Sequence, residues 1–157
     1  MDNYRKLIES ANINLKNADH MVYVTYPIVN DPKLIMTIAE KLYNSVMDTI
    51  TALLEFDYLY KRISYIPEKE EEKIRLFKEF TIKRYSINRE LLILIGELKE
   101  LLDFRKRAPI EFTRKENFVV CSARYSTKTI NLRKIKYYVQ DIKVFLEKAN
   151  RILKDGL

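Results

Sequence analysis

Glycine occurs only at positions 96 and 156 of the 157 residues, so the first 95 residues have none. Turns that demand left-handed backbone are built mostly on glycine, and a sheet protein of this size would normally use about ten or more, at an average usage near 7%. A mainly β fold is therefore not expected, and the chain should be organised in long helices. The same absence removes the Gly-x-Gly-x-x-Gly and Walker loops, so no phosphate is cradled by a glycine nest.

Apolar spacing supports that inference and predicts five helices. Ile8, Ala11, Leu15, Ala18 and Val22 recur at three- and four-residue steps, predicting a first helix from Asn3 to about Tyr23. YVTYPIVND then breaks the pattern and, with Pro27 disfavouring helix at Tyr26, reads as a connector. Asp31-Pro32 is a helix start, a capping side chain followed by proline. The second helix should run to about Ile63 on Ile35, Ile38, Leu42, Val46, Ile50 and Leu53, and be the central one. Pro67 and an acidic first turn open the third helix, whose thinner face is Ile74, Phe77, Phe80 and Tyr85. Asn88 caps a fourth helix, with Leu91, Leu94, Ile95, Leu98 and Leu102, that ends at RKRAP.

Residues 109–130 are mixed, and Phe118-Val-Val-Cys suits a short hairpin about Arg114 to Asn117. Asn131 caps the fifth helix, where Leu132, Ile135, Val139, Ile142, Leu146, Ala149 and Leu153 form one seam. Tyr138, Phe145 and Ile152 form a second column, expected to be free for a partner helix. The fold expected is all-α: one domain over residues 1–157, a five-helix bundle with an irregular or short β-hairpin insertion between helices four and five.

The net charge of +7 is concentrated at one end. Residues 1–66 and 67–103 each carry −1, whereas residues 104–157 carry +9. Arg105, Lys106, Arg107, Arg114, Lys115, Arg124, Lys128, Arg133, Lys134 and Lys136 are opposed locally only by Glu111 and Glu116. Phe112, Phe118, Tyr125, Tyr137 and Tyr138 are interleaved with them, a pattern suited to RNA or another polyanion, with phosphates neutralised and bases stacked. An acidic protein partner and plain solvation are the competing accounts of the same charge.

Catalytic chemistry has little to draw on. Cys121 and His20 are the lone cysteine and histidine and lie far apart in sequence, so no thiolate pair, disulfide or zinc site is expected. Cys121 reads as packed and His20 as a favourable cation at the end of the first helix. Glu40, Asn44, Asp48 and Glu55 share one strip of the second helix, either a wet face or carboxylates presented to a cleft. The Glu70-Glu71-Glu72 run reads as a solvated helix start rather than a divalent-ion site. No cofactor is expected. Neither a signal sequence nor a membrane span is legible, which points to the cytoplasm. The wealth of Ile, Lys, Glu, Arg and Tyr without Trp is a thermophile's bias.

The order of SANINLKNAD, AEKLYNSVMDTITALL, LFKEFTIK and ELKELLDFRKRAP before a final helix resembles the HEPN family of small helical bundles. That resemblance implies the bundle fold, a homodimer, a groove for nucleic acid or nucleotide near Arg105 and Arg107, and sometimes a nucleotidyltransferase partner. Many members cut RNA with an Arg-x(4–6)-His motif. From Arg105 or Arg107 the histidine would fall within residues 110–114, which read Ile-Glu-Phe-Thr-Arg. The imidazole proton donor is missing, so the family's ribonuclease activity is not carried over.

Overall fold

The computed structural model describes residues 3–108 and 110–155. Helices make up 73% of the chain, and a three-stranded antiparallel sheet is inserted between the fourth and fifth of them. The helices are α1 (Asn3–His20, continued by a π-helical turn Met21–Thr25 and a last turn Tyr26–Val29), α2 (Leu34–Leu59), α3 (Glu70–Leu76, a π-helical turn Phe77–Thr81, then Ile82–Tyr85), α4 (Glu90–Arg107) and α5 (Leu132–Asp155). The strands are β1 (Ile110–Arg114), β2 (Asn117–Cys121) and β3 (Thr127–Asn131), in the order β1-β2-β3.

The buried stripe of α2 forms the centre: Ile35, Ile38, Leu42, Val46, Ile50 and Leu53 are all fully buried. Ala11 and Ala18 let α1 approach it closely, and the Ser45 hydroxyl, also buried, donates to the Ala11 carbonyl at 2.8 Å. Asn12 of α1 and Asn150 of α5 exchange side-chain hydrogen bonds at 3.1 Å. These contacts satisfy polar groups that would otherwise be costly to bury.

Three of the four start signals, Asp31, Asn88 and Asn131, bond to the first turns of their helices. The Asp31 carboxylate accepts from the Lys33 amide at 3.0 Å, the Asn88 amide oxygen from the Glu90 amide at 3.0 Å, and the Asn131 amide oxygen from the Lys134 amide at 2.9 Å.

Three boundaries differ from expectation. YVTYPIVND is mostly helix, because the π turn adds a residue to α1 just before Pro27: the Tyr26 amide bonds to the Met21 carbonyl, five residues back. The wider turn relieves the clash between a proline ring and the carbonyl four residues earlier. Left-handed Asn30, at φ 52°, then ends the helix. Second, α2 stops at Leu59, where Lys61 turns left-handed at φ 58° and the Arg62 amide reaches back to the Asp57 carbonyl. Third, α3 begins at Glu70 rather than Pro67, Lys69 being extended.

The insertion holds the hairpin and one strand more. A two-residue turn at Lys115-Glu116 pairs Arg114 with Asn117, and β3 adds to the other side of β2 with Asn117 opposite Asn131. Phe118, Val120 and Ile130 face the helices and join the main core, whereas Ile110, Phe112, Val119 and Cys121 lie on the outer face. Tyr138, Phe145 and Ile152 are no more than 6% exposed, which corrects the expectation of a free column. With an apolar arc this wide, α5 packs both seams against its own chain, Phe145 meeting Phe77 edge-on at 5.6 Å.

Candidate nucleic-acid interface

The structure sorts nine of the ten cations named from the sequence into three groups, the tenth, Lys106, lining the cleft between α2 and α4. Arg105, Lys128 and Lys134 are occupied by acids. Arg105 Nε donates to Glu111 at 2.7 Å and its Nη1 lies 3.7 Å from Glu40; Lys128 meets Glu100 at 3.3 Å and Lys134 meets Glu97 at 3.4 Å. The Glu111 bond lifts the Arg105 pKa and lowers that of Glu111. Phosphate contact by these side chains would first have to break an existing pair.

The other six form no ion pair with a described residue, and strand length divides them. Arg114 and Lys115 sit at the β1–β2 turn, the end of the sheet from which Asn131 leads into Arg133 and Lys136. Arg107 and Arg124 lie towards the other end, roughly 13 Å away for five-residue strands. The single patch suggested by the sequence is therefore two.

The first of them adjoins the extended end of α1. Tyr23, Arg133, Lys136, Tyr137 and Gln140 line a depression of about 220 Å3, in which Tyr23 and Tyr137 are 47% and 60% exposed. Lys136 Nζ lies 5.5 Å from the centre of the Tyr23 ring. Arg133 and Lys136 also border a second hollow of about 370 Å3 with Tyr26, Asn30, Leu132 and the single acid Glu116. Cations held beside exposed aromatic rings suit a phosphate chain whose bases stack. Tyr23, Tyr26 and Asn30 could not be placed here from spacing alone, because they join the site only through the helical continuation of α1, whereas Gln140 follows Lys136 by one turn of α5.

A second cleft, about 480 Å3, lies where the resemblance locates a groove. Glu40, Tyr43 and Asn44 of α2 face Lys99, Asp103, Arg105 and Lys106 of α4, with Glu70 and Glu111 at its borders. Tyr43 donates to Glu70 at 2.7 Å, and burial together with that carboxylate pushes its phenol pKa up. Lys99 pairs with Glu71 at 2.9 Å, which raises the amine's pKa. The acids outnumber the cations, so the cleft is poorly suited to a phosphate chain.

The strip on α2 does not act as one unit. Glu40 and Asn44 reach that cleft, but Asp48 accepts from Ser10 at 2.7 Å and Glu55 from Asn3 at 2.5 Å. His20 is exposed at the entry to the π turn, not at a helix end, so the dipole gives it no role. Cys121 is buried on the outer face of the sheet. Among the described residues no cluster of His, Cys, Asp or Glu is arranged to hold a metal, and no helix is long and apolar enough to cross a membrane.

No family model, curated protein or solved structure matches this chain.

Proposed function

We propose that this protein binds RNA or another polyanion on the surface made by the start of α5, the end of α1 and the β1–β2 turn. The observation that carries it is the depression where Arg133 and Lys136, without an acid partner among the described residues, stand beside the exposed rings of Tyr23 and Tyr137. Arg114 and Lys115 extend the positive charge along the same end of the sheet. Phosphates supply the affinity through these cations, and ring stacking orders unpaired bases. RNA cleavage at Arg105 forms no part of this function: its guanidinium is committed to Glu111 and Glu40, and no histidine follows it.

Fluorescence anisotropy with a labelled mixed-sequence RNA tests this. Affinity should fall steadily as salt rises, and the double substitution Arg133→Glu with Lys136→Glu should weaken binding roughly a hundredfold. Undetectable binding at low salt, or unchanged binding by the double variant, would overturn the proposal.

A further inference from the structure

The end of α2, the segment after it and the middle of α3 enclose a cleft of about 890 Å3 that the polyanion surface does not use. Its walls carry Tyr58, Leu59, Tyr65 and Phe80, each about half exposed, with aliphatic Ile63 and Leu76 between them. Exposed apolar side chains gathered along one cleft offer cover to the apolar groups of a partner.

One wall is built around a fixed arginine. Arg62 Nη1 donates to Asp57 at 3.3 Å and to the Tyr85 hydroxyl at 2.7 Å, and the Tyr85 hydroxyl donates in turn to Asp57 at 2.5 Å. Asp57 is fully buried, and the guanidinium carbon lies 5.8 and 5.4 Å from the Phe56 and Tyr60 ring centres. Burying a carboxylate is costly, and ion pairs of this kind are poor sources of net stability. What the arrangement does secure is a guanidinium held in one orientation, with Nε and Nη2 outside these hydrogen bonds and a side chain 29% exposed to the cleft. Lys61 and Arg75 also line the cleft, against the single lining acid Glu79, which Arg75 meets at 4.0 Å.

We infer that this cleft docks an acidic, amphipathic peptide segment of a partner protein. The partner's apolar side chains cover Tyr58, Leu59 and Phe80, while one of its carboxylates meets the outer edge of Arg62, a planar fork that matches a carboxylate's two oxygens. Like the polyanion surface, the cleft has cations and exposed rings, but Leu59, Ile63 and Leu76 between them match apolar side chains rather than bases, which favours a peptide. A second copy related by a two-fold axis would set Lys61, Arg62 and Arg75 against themselves. The inference is independent of the polyanion surface, since no residue is shared between the two.

Selection of a random displayed peptide library on the full chain tests it. The enriched peptides should combine Asp or Glu with Leu, Phe or Met on one face. Their synthetic versions should bind Phe80→Ala and Arg75→Glu, both substitutions at exposed positions, at least tenfold more weakly. Arg62→Lys, which keeps the charge but loses the fork, should also weaken binding. Arg133→Glu with Lys136→Glu should leave peptide affinity unchanged. The inference is overturned if no acidic, apolar consensus emerges, if the peptides bind Phe80→Ala and Arg75→Glu like the parent, or if RNA displaces them from the parent but not from the Arg133/Lys136 double variant. A dimer in light scattering that dissociates on Phe80→Ala would overturn it in favour of a second copy.

Discussion

Lys136 Nζ of α5 sits 5.5 Å from the centre of the Tyr23 ring in the π turn of α1, which ties the basic start of one helix to the aromatic end of another. The contact depends on α1 continuing past His20. Had residues 23–31 formed an extended connector, Tyr23 and Tyr26 would have no fixed place beside Arg133 and Lys136.

Cations differ in value for binding according to their partners. Replacing Arg105, Lys128 and Lys134 by glutamine removes three charges that acids already neutralise, whereas Arg133→Gln with Lys136→Gln removes two that have no acid partner among the described residues. The expected result is that the double variant lowers the slope of log affinity against log salt by about 1.4, since each phosphate neutralised on a single strand is worth roughly 0.7. The triple variant should leave the slope near that of the parent. Anisotropy titrations over a series of salt concentrations measure both.

The second column of α5 belongs to the core, so its substitutions report on folding. Phe145 is 4% exposed and packs on Phe77, and Phe145→Ala should cost about 3–5 kcal/mol in urea denaturation. The Tyr138 hydroxyl donates to Glu97 at the protein's margin, so Tyr138→Phe keeps the ring and should cost only about 1 kcal/mol. Comparable small losses for both would place the column outside the core.

Gly96 stands mid-way along α4, exposed, with nothing within 4 Å of where a Cβ would lie. Alanine there keeps the helical backbone, meets no neighbour and reduces the freedom of the unfolded chain. Gly96→Ala is therefore expected to stabilise the protein by about 1 kcal/mol, which calorimetry would read as a rise in Tm of about 2–4 °C.

Local rules made much of this fold legible, because long helices announce themselves by spacing and caps. The Ile35 to Leu53 stripe and the Asp31, Asn88 and Asn131 starts needed no tertiary information. What escaped the sequence was set by distant contacts. Pro27 is a helix breaker by local rule, yet one inserted residue in the preceding turn accommodates it. The strand Thr127–Asn131 has little apolar alternation of its own and exists because β2 offers it an edge, with Ile130 anchored opposite Phe118. Charge counting located the cations but not their partners: Glu40, Glu97 and Glu100, which occupy three of them, come from α2 and α4.

Tyr85 joins α3 to the end of α2, and its titration gives the fold an alkaline limit. Burial, followed by its hydrogen bond to Asp57, pushes the phenol from its ordinary value of 10 up to about 12. A pKa raised on folding means that the neutral phenol is the form the folded state prefers. Its contribution is fully present below pH 10 and is lost as pH rises through the folded value, so stability should decline between pH 10 and about 12. A rise of that size is worth at most about 3 kcal/mol, shared with Asp57 and Arg62. Tyr85→Phe removes the titrating group and the bonds to Asp57 and Arg62 together. The variant should be less stable at neutral pH by about 1–3 kcal/mol and show a shallower decline over that alkaline window. Urea melts of both proteins at stepped pH decide it: parallel curves for parent and variant would assign the alkaline loss to other groups.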